Sequence, residues 1–205
     1  MKLYTPCIPG KNAKKGSLAL KLDISKAYDQ VEWHFLQVIM VKLGFPETWI
    51  NWVMGCVITP SFSILINGKP YGNIKPFKGL CQGDPLSPYL FLLCAKGFTS
   101  LLAKAEMDGR INGVSIYKRV PTISNLMFAN DSILFCRANL REFEVINDVL
   151  QIYANASGQC INMEKSLVYF SNNTQGNERE EIVSLLGLKE LKCFESYLSL
   201  PTLVS

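Results

Sequence analysis

At 205 residues the chain can bury one sizeable core, and 48% apolar against 19% charged residues excludes a disordered polypeptide. A formal net charge of +4 is a mild basic bias, compatible with a nucleic-acid partner without defining one. The seven cysteines are scattered without a Cys-x-x-Cys pair and His34 is the sole histidine, so no zinc site is expected and the thiols suit a reducing compartment.

Residues 1–16 are polar, with Pro6, Pro9, Gly10 and Gly16, and read as a loop or ragged edge. Lys11, Lys14 and Lys15 form a basic cluster there, as well suited to a solvated arm as to a phosphate contact. Met1–Gly10 has no apolar core of the kind a signal peptide needs, and the longest apolar run, Tyr89–Ala95, is too short to span a bilayer. A nuclear or cytoplasmic protein, not a membrane one, is expected.

Ser17–Asp23 carries Leu18, Leu20 and Leu22 and predicts a strand. Asp29 and Glu32 have capping-box spacing before a helix whose apolar face is Val31, Phe35, Val38, Ile39 and Leu43, ended by Gly44. Pro46 opens a second helix with the stripe Trp49, Trp52, Val53 and Cys56, and both tryptophans are expected in the core. Phe62, Ile64 and Ile66 alternate up to the turn Asn67-Gly68, and Tyr71–Phe77 can pair back as a hairpin. A Gly/Pro-rich loop, Gly79–Pro88, precedes a long helix to about Met107. Asp84, Pro85, Ser87 and Pro88 read as its entry.

After a polar connection, Ile123–Phe128 and Ile133–Cys136 predict a second hairpin around Ala129-Asn130-Asp131. Asn139 and Glu142 can cap a helix carrying Leu140, Phe143, Ile146, Leu150 and Tyr153, stopped at Ser157-Gly158. Leu167–Phe170 reads as a strand and Glu178–Leu186 as a helix ended by Gly187. The order predicts an α+β fold with a mainly antiparallel sheet.

Asp23 ends an apolar strand and Asp131 sits at a hairpin tip. Carboxylates so placed converge if their strands are neighbours, and two cations about 3.5–4 Å apart would need such ligands. On spacing alone the pattern is weak evidence for a metal site and fits loop-end aspartates better.

The surrounding motifs are more specific. LKLDISKAYD at Leu20–Asp29 resembles the first palm motif of reverse transcriptases, and GLCQGDPLSPYLF at Gly79–Phe91 resembles their second. ISNLMFANDSILFC at Ile123–Cys136 is similar to the hairpin that normally reads Phe/Tyr-Ala-Asp-Asp. SGQCINMEKSLVYFS at Ser157–Ser171 resembles the fourth motif, and YLSLPTL at Tyr197–Leu203 the Tyr-Leu-Gly-Leu-Pro segment that follows. The order and spacing resemble the plant-type branch of non-LTR, or LINE-type, retrotransposon reverse transcriptases.

The resemblance implies an RNA-directed DNA polymerase palm, with partial fingers, over 17–175. Residues 1–16 are then a flexible edge, and 176–205 a C-terminal helix leading into a truncated thumb connection. It implies two Mg²⁺ ions, with Mn²⁺ as the alternative, held by Asp23, the carbonyl of Ile24 and Asp131. It implies that Tyr28 packs under the incoming sugar and rejects a 2′-hydroxyl, and that Gln82 and Gly83 lie against the nascent base pair. Lys165 matches the lysine proposed to assist the leaving pyrophosphate, and reads equally well as a surface lysine. Asp29 is assigned to capping, and His34 needs no function. The implied partners are an RNA template, a DNA primer and deoxynucleoside triphosphates, together with the fingers, thumb and endonuclease regions of a parent polyprotein. Asn130 stands where the family has a metal-ligand Asp, Cys81 where Arg is usual, Cys160 where Lys is common and Ser199 where the turn has Gly. These departures imply an impaired copy, the alternative being a non-catalytic remnant that binds nucleic acid weakly.

Overall fold

The computed structural model describes residues 16–114, 122–128, 131–191, 196–197 and 200–201. Its contacts divide the chain into two units. The first holds the described residues up to Ser25, Phe98–Ile152 and those from Ile161 onward; the second holds Lys26–Gly97 and Tyr153–Cys160.

The first unit is built on a sheet of β1 (Ser17–Ser25), β4 (Asn125–Phe128), β5 (Asp131–Arg137), β6 (Cys160–Ile161), β7 (Leu167–Phe170) and β8 (Lys189–Glu190). The order is β4-β5-β1-β7-β8, with β6 paired to β1. All the registered pairs are antiparallel except β7 with β8. Leu18, Leu20 and Leu22 are buried on one face of β1. On the other, Ala19 packs with Val114, Ile133, Phe135 and Tyr169. Burial on both faces explains the apolar start of β1 at Leu18–Leu20; from Lys21 on, polar residues alternate with the buried Leu22 and Ile24.

Helix α4 (Leu140–Ser157) starts as its sequence predicts, for the Glu142 amide donates to Asn139 Oδ1 at 2.9 Å. The Glu142 carboxylate is buried and takes a different role. It accepts from the Asn112 backbone and side-chain amides, both at 2.9 Å, and from the Arg137 amide at 3.2 Å. Helix α5 (Gly176–Leu186) ends at Gly187 in the left-handed conformation. Beyond it, β9 (Ser196–Tyr197) and β10 (Leu200–Pro201) form an antiparallel pair; Ser199 lies outside the described residues.

The second unit carries α1 (Trp33–Lys42), α2 (Glu47–Ile58), the hairpin β2 (Phe62–Ile66) and β3 (Lys69–Ile74), and the start of α3 (Ser87–Met107). The hairpin turns at Asn67 and Gly68, both at positive φ, as a two-residue type I′ loop requires.

Three expectations fail in this unit. The capping box is absent: the N-cap of α1 is Glu32, with no side-chain cap bond, and Asp29 is exposed in the turn before it. Tertiary contact does that work instead, for the Glu32 amide donates to the Ser157 carbonyl at 2.9 Å. The apolar face of α1 centres on Leu36 and Met40, while Val38 and Leu43 are exposed. On α2, Ile50, Val53 and Met54 are buried, but Trp52 is 72% exposed and Cys56 is exposed. Trp49 stacks on Phe45 at 4.5 Å.

Candidate active site

Asp23 and Asp131 face each other across adjacent strands. The β1–β5 register runs from Ser17 opposite Arg137 to Asp23 opposite Asp131. Directly opposed residues place their Cβ atoms about 4.5–5.5 Å apart on one face of the sheet. The carboxylates continue the row formed by Ala19 with Phe135 and Lys21 with Ile133, and both residues are part-exposed. Strand alternation turns the buried Ile24 side chain to the opposite face.

A turn holds the backbone of Asp23 in place. The β1–β7 register ends at Lys21 opposite Leu167. Beyond it the Asp23 carbonyl accepts from the Asn162 amide at 2.8 Å, and the Asp23 amide donates to Ser166 Oγ at 3.2 Å. The fully buried Ser166 hydroxyl donates in turn to the Asn162 carbonyl at 2.7 Å. Lys165 lies in this turn with an exposed side chain. The sequence reading passed over Asn162 and Ser166; their signal was their place, four apart, bracketing Lys165 within the fourth motif.

In the second unit, Tyr28 stacks on Phe91 with ring centroids 4.9 Å apart and planes at 19°. Its carbonyl accepts from the Leu80 amide at 2.9 Å, the Gly79 amide donates to the Val31 carbonyl at 2.8 Å, and Trp33 Nε1 donates to the Gly79 carbonyl at 2.7 Å. Gly79 is at φ +89, and a Cβ there would stand 2.7 Å from the Asp29 carbonyl oxygen. These bonds tie the start of the second motif to the end of the first. Gln82 and Gly83 follow in an exposed loop, with Gly83 at φ +96. Asp84 Oδ1 caps the entry to α3, accepting from the Leu86 amide at 2.7 Å. Ala129 and Asn130 lie outside the described residues.

Paired aspartates near the end of one strand and at the tip of the adjoining hairpin, on a mainly antiparallel sheet, are the arrangement of a polymerase palm. Residues 7–189 match the family described as reverse transcriptase (RNA-dependent DNA polymerase), and the chain belongs to it. Among curated relatives, it is 46% identical over 68 residues to an uncharacterised mitochondrial protein of Arabidopsis thaliana, covering 33% of this chain and 56% of that protein. It is 26% identical over 147 residues to a transposon TX1 protein of Xenopus laevis, 72% of this chain and 11% of that protein. It is 26% identical over 148 residues to the Pol polyprotein of a type-1 R2 retrotransposable element of Popillia japonica, 71% of this chain and 23% of that protein. The chain therefore spans a minor part of these polyproteins, which are of the non-LTR kind.

The fold is shared with solved telomerase structures. That of apo telomerase from Candida tropicalis superposes at TM-score 0.61 with 14% identity, over 82% of this chain and 33% of that one. Telomerase from Candida albicans, in complex with a fragment of telomeric RNA, superposes at TM-score 0.57 with 12% identity, over 78% and 27%.

Reverse transcriptases use divalent metal ions, and the donor set suits them: Asp23 and Asp131 supply hard carboxylate oxygens side by side. Among the described residues no larger cluster of His, Cys, Asp or Glu gathers. No helix among them is long and apolar enough to cross a membrane.

Proposed function

We propose that this chain is the RNA-directed DNA polymerase domain of a non-LTR retroelement, in a copy impaired at Asn130. The opposition of Asp23 and Asp131 carries the reading. Asp23, the Ile24 carbonyl and Asp131 would hold Mg²⁺, which supplies activation of a primer 3′-hydroxyl and charge neutralisation on the departing pyrophosphate. Tyr28 excludes the ribose 2′-hydroxyl, Gln82 and Gly83 contact the nascent pair, and Lys165 gives the leaving group positive charge. RNA is the template and DNA the primer, as the motif order supports.

Asn130 weakens this machinery. An amide oxygen can still coordinate a cation, but as a neutral dipole, and the missing charge counts most in a partly dehydrated site. Each loss of about 1.4 kcal/mol of transition-state stabilisation slows the step tenfold. The same substitution favours a second reading, a non-catalytic remnant of the fold. Primer extension on an RNA template separates the two. Asn130→Asp restoring extension supports the polymerase; no extension by either version, and no metal-dependent nucleotide binding, supports the remnant. Equal extension by both would refute the impairment.

A further inference from the structure

Gln159 is almost fully buried, at 1% exposure, and is committed to one orientation. Its Oε1 accepts from the Tyr153 hydroxyl, and its Nε2 donates to the Ala27 carbonyl at 2.7 Å. The reverse amide orientation would set Oε1 against that carbonyl, two acceptors facing each other. The residue is fixed further by its own amide, which donates to Ser157 Oγ at 3.1 Å, while the Ser157 hydroxyl donates to the Tyr153 carbonyl at 2.7 Å. Burial raises the Tyr153 hydroxyl's pKa above its ordinary range, which keeps it a donor.

The carbonyl that Gln159 grips belongs to the peptide leading into Tyr28. One residue earlier, Lys26 adopts φ +45, a left-handed conformation that costs a non-glycine residue about 1 kcal/mol or more. Such a turn persists only when its surroundings hold it. Three contacts from the segment 157–159 do so: Gln159 on Ala27, Ser157 on the Glu32 amide, and Gly158 against the Gln30 carbonyl, where an added Cβ would come within 2.6 Å. Leu80 holds the next carbonyl, that of Tyr28 itself.

We propose that Gln159 is the positioning residue for Tyr28, and that through this one bond the fourth motif sets how strictly the site distinguishes deoxyribose from ribose. The proposal rests on the reading of Tyr28 as a sugar contact. Gln159→Met keeps the size and removes both hydrogen bonds; Tyr153→Phe keeps the bond to Ala27 and releases its support. Both are made in the Asn130→Asp chain and compared with it in two ways. Hydrogen exchange at the Leu80 amide reads the clamp itself, with the Lys21 amide of β1 as reference. The ratio of dATP to ATP affinity, in the presence of Mg²⁺, reads its consequence.

Gln159→Met should speed exchange at Leu80 but not at Lys21, and should lower the affinity ratio by about tenfold, the worth of one ordinary hydrogen bond. Tyr153→Phe should move both in the same direction by less. General destabilisation would weaken both nucleotides alike and leave the ratio unmoved. An unchanged ratio in variants that still bind overturns the proposal. Failure of the Asn130→Asp chain to bind either nucleotide would instead overturn the polymerase reading on which the role of Tyr28 depends.

Discussion

Asp23 and Asp131, which come from different motifs of the chain, are direct partners in the antiparallel register of β1 and β5. Because side chains alternate, a slip of one residue would send one carboxylate to the opposite face. The apolar sets on both faces of β1 oppose such a slip, so the packing of the core fixes the geometry of the acidic pair.

Restoring the missing acid should restore activity. Asn130→Asp is expected to raise steady-state primer extension by at least about a hundredfold, as the return of about 3 kcal/mol of transition-state stabilisation would require. Extension rates on one RNA template, side by side, give the answer.

Ser166→Ala should weaken the acidic site without touching a carboxylate. It removes the acceptor for the Asp23 amide and the donor to the Asn162 carbonyl. A loss of about 1–3 kcal/mol in urea unfolding is expected, with weaker Mg²⁺ binding in the folded fraction.

Gly158→Ala tests the close approach of the fourth motif to the turn before α1. At φ +75, with the Gln30 carbonyl 2.6 Å from a built Cβ, the substitution should cost about 2–4 kcal/mol. Gly176→Ala, where nothing lies within 4 Å and the residue opens α5, is the control and should be neutral or slightly stabilising. Thermal unfolding of the pair reads the contrast.

Thiol accessibility should divide the described cysteines. Burial pushes the Cys94 thiol up to about 12, and burial with the nearby Glu142 charge raises Cys136 well above its usual value. Neither forms thiolate at pH 8, whereas Cys56, Cys81 and Cys160 are exposed. Mass mapping after brief alkylation of the native protein should find the exposed three labelled and the buried two untouched. The sign for stability follows. The Cys94 contribution is intact below pH 9, the unfolded value, and is lost as pH rises from there towards about 12.

Local pattern makes most elements legible in the sequence. The alternation in Leu18–Leu22, the Asn67-Gly68 turn and the glycine stops at Gly158 and Gly187 each follow from backbone sterics that act within a few residues. Topology was less accessible. Nothing in Leu167–Phe170 says that it pairs beside β1, and the bonds that secure Asp23 come from Asn162 and Ser166, far along the chain. Trp52 and the hairpin β2–β3 show the other limit. Periodicity reports that an apolar face exists, not what covers it, and in this structure every hairpin residue is exposed. Glu32 shows how tertiary bonding displaces a local signal: its amide donates to the Ser157 carbonyl, the bond that a capping box assigns to the Asp29 side chain.

Calorimetric titration of Mg²⁺ with dATP into the Asn130→Asp chain, and into the same chain carrying Asp23→Asn, tests the acidic pair most directly. The opposed acidic pair predicts saturable, metal-dependent nucleotide binding that falls at least about tenfold when the Asp23 charge is removed. Equal binding by both chains would contradict it.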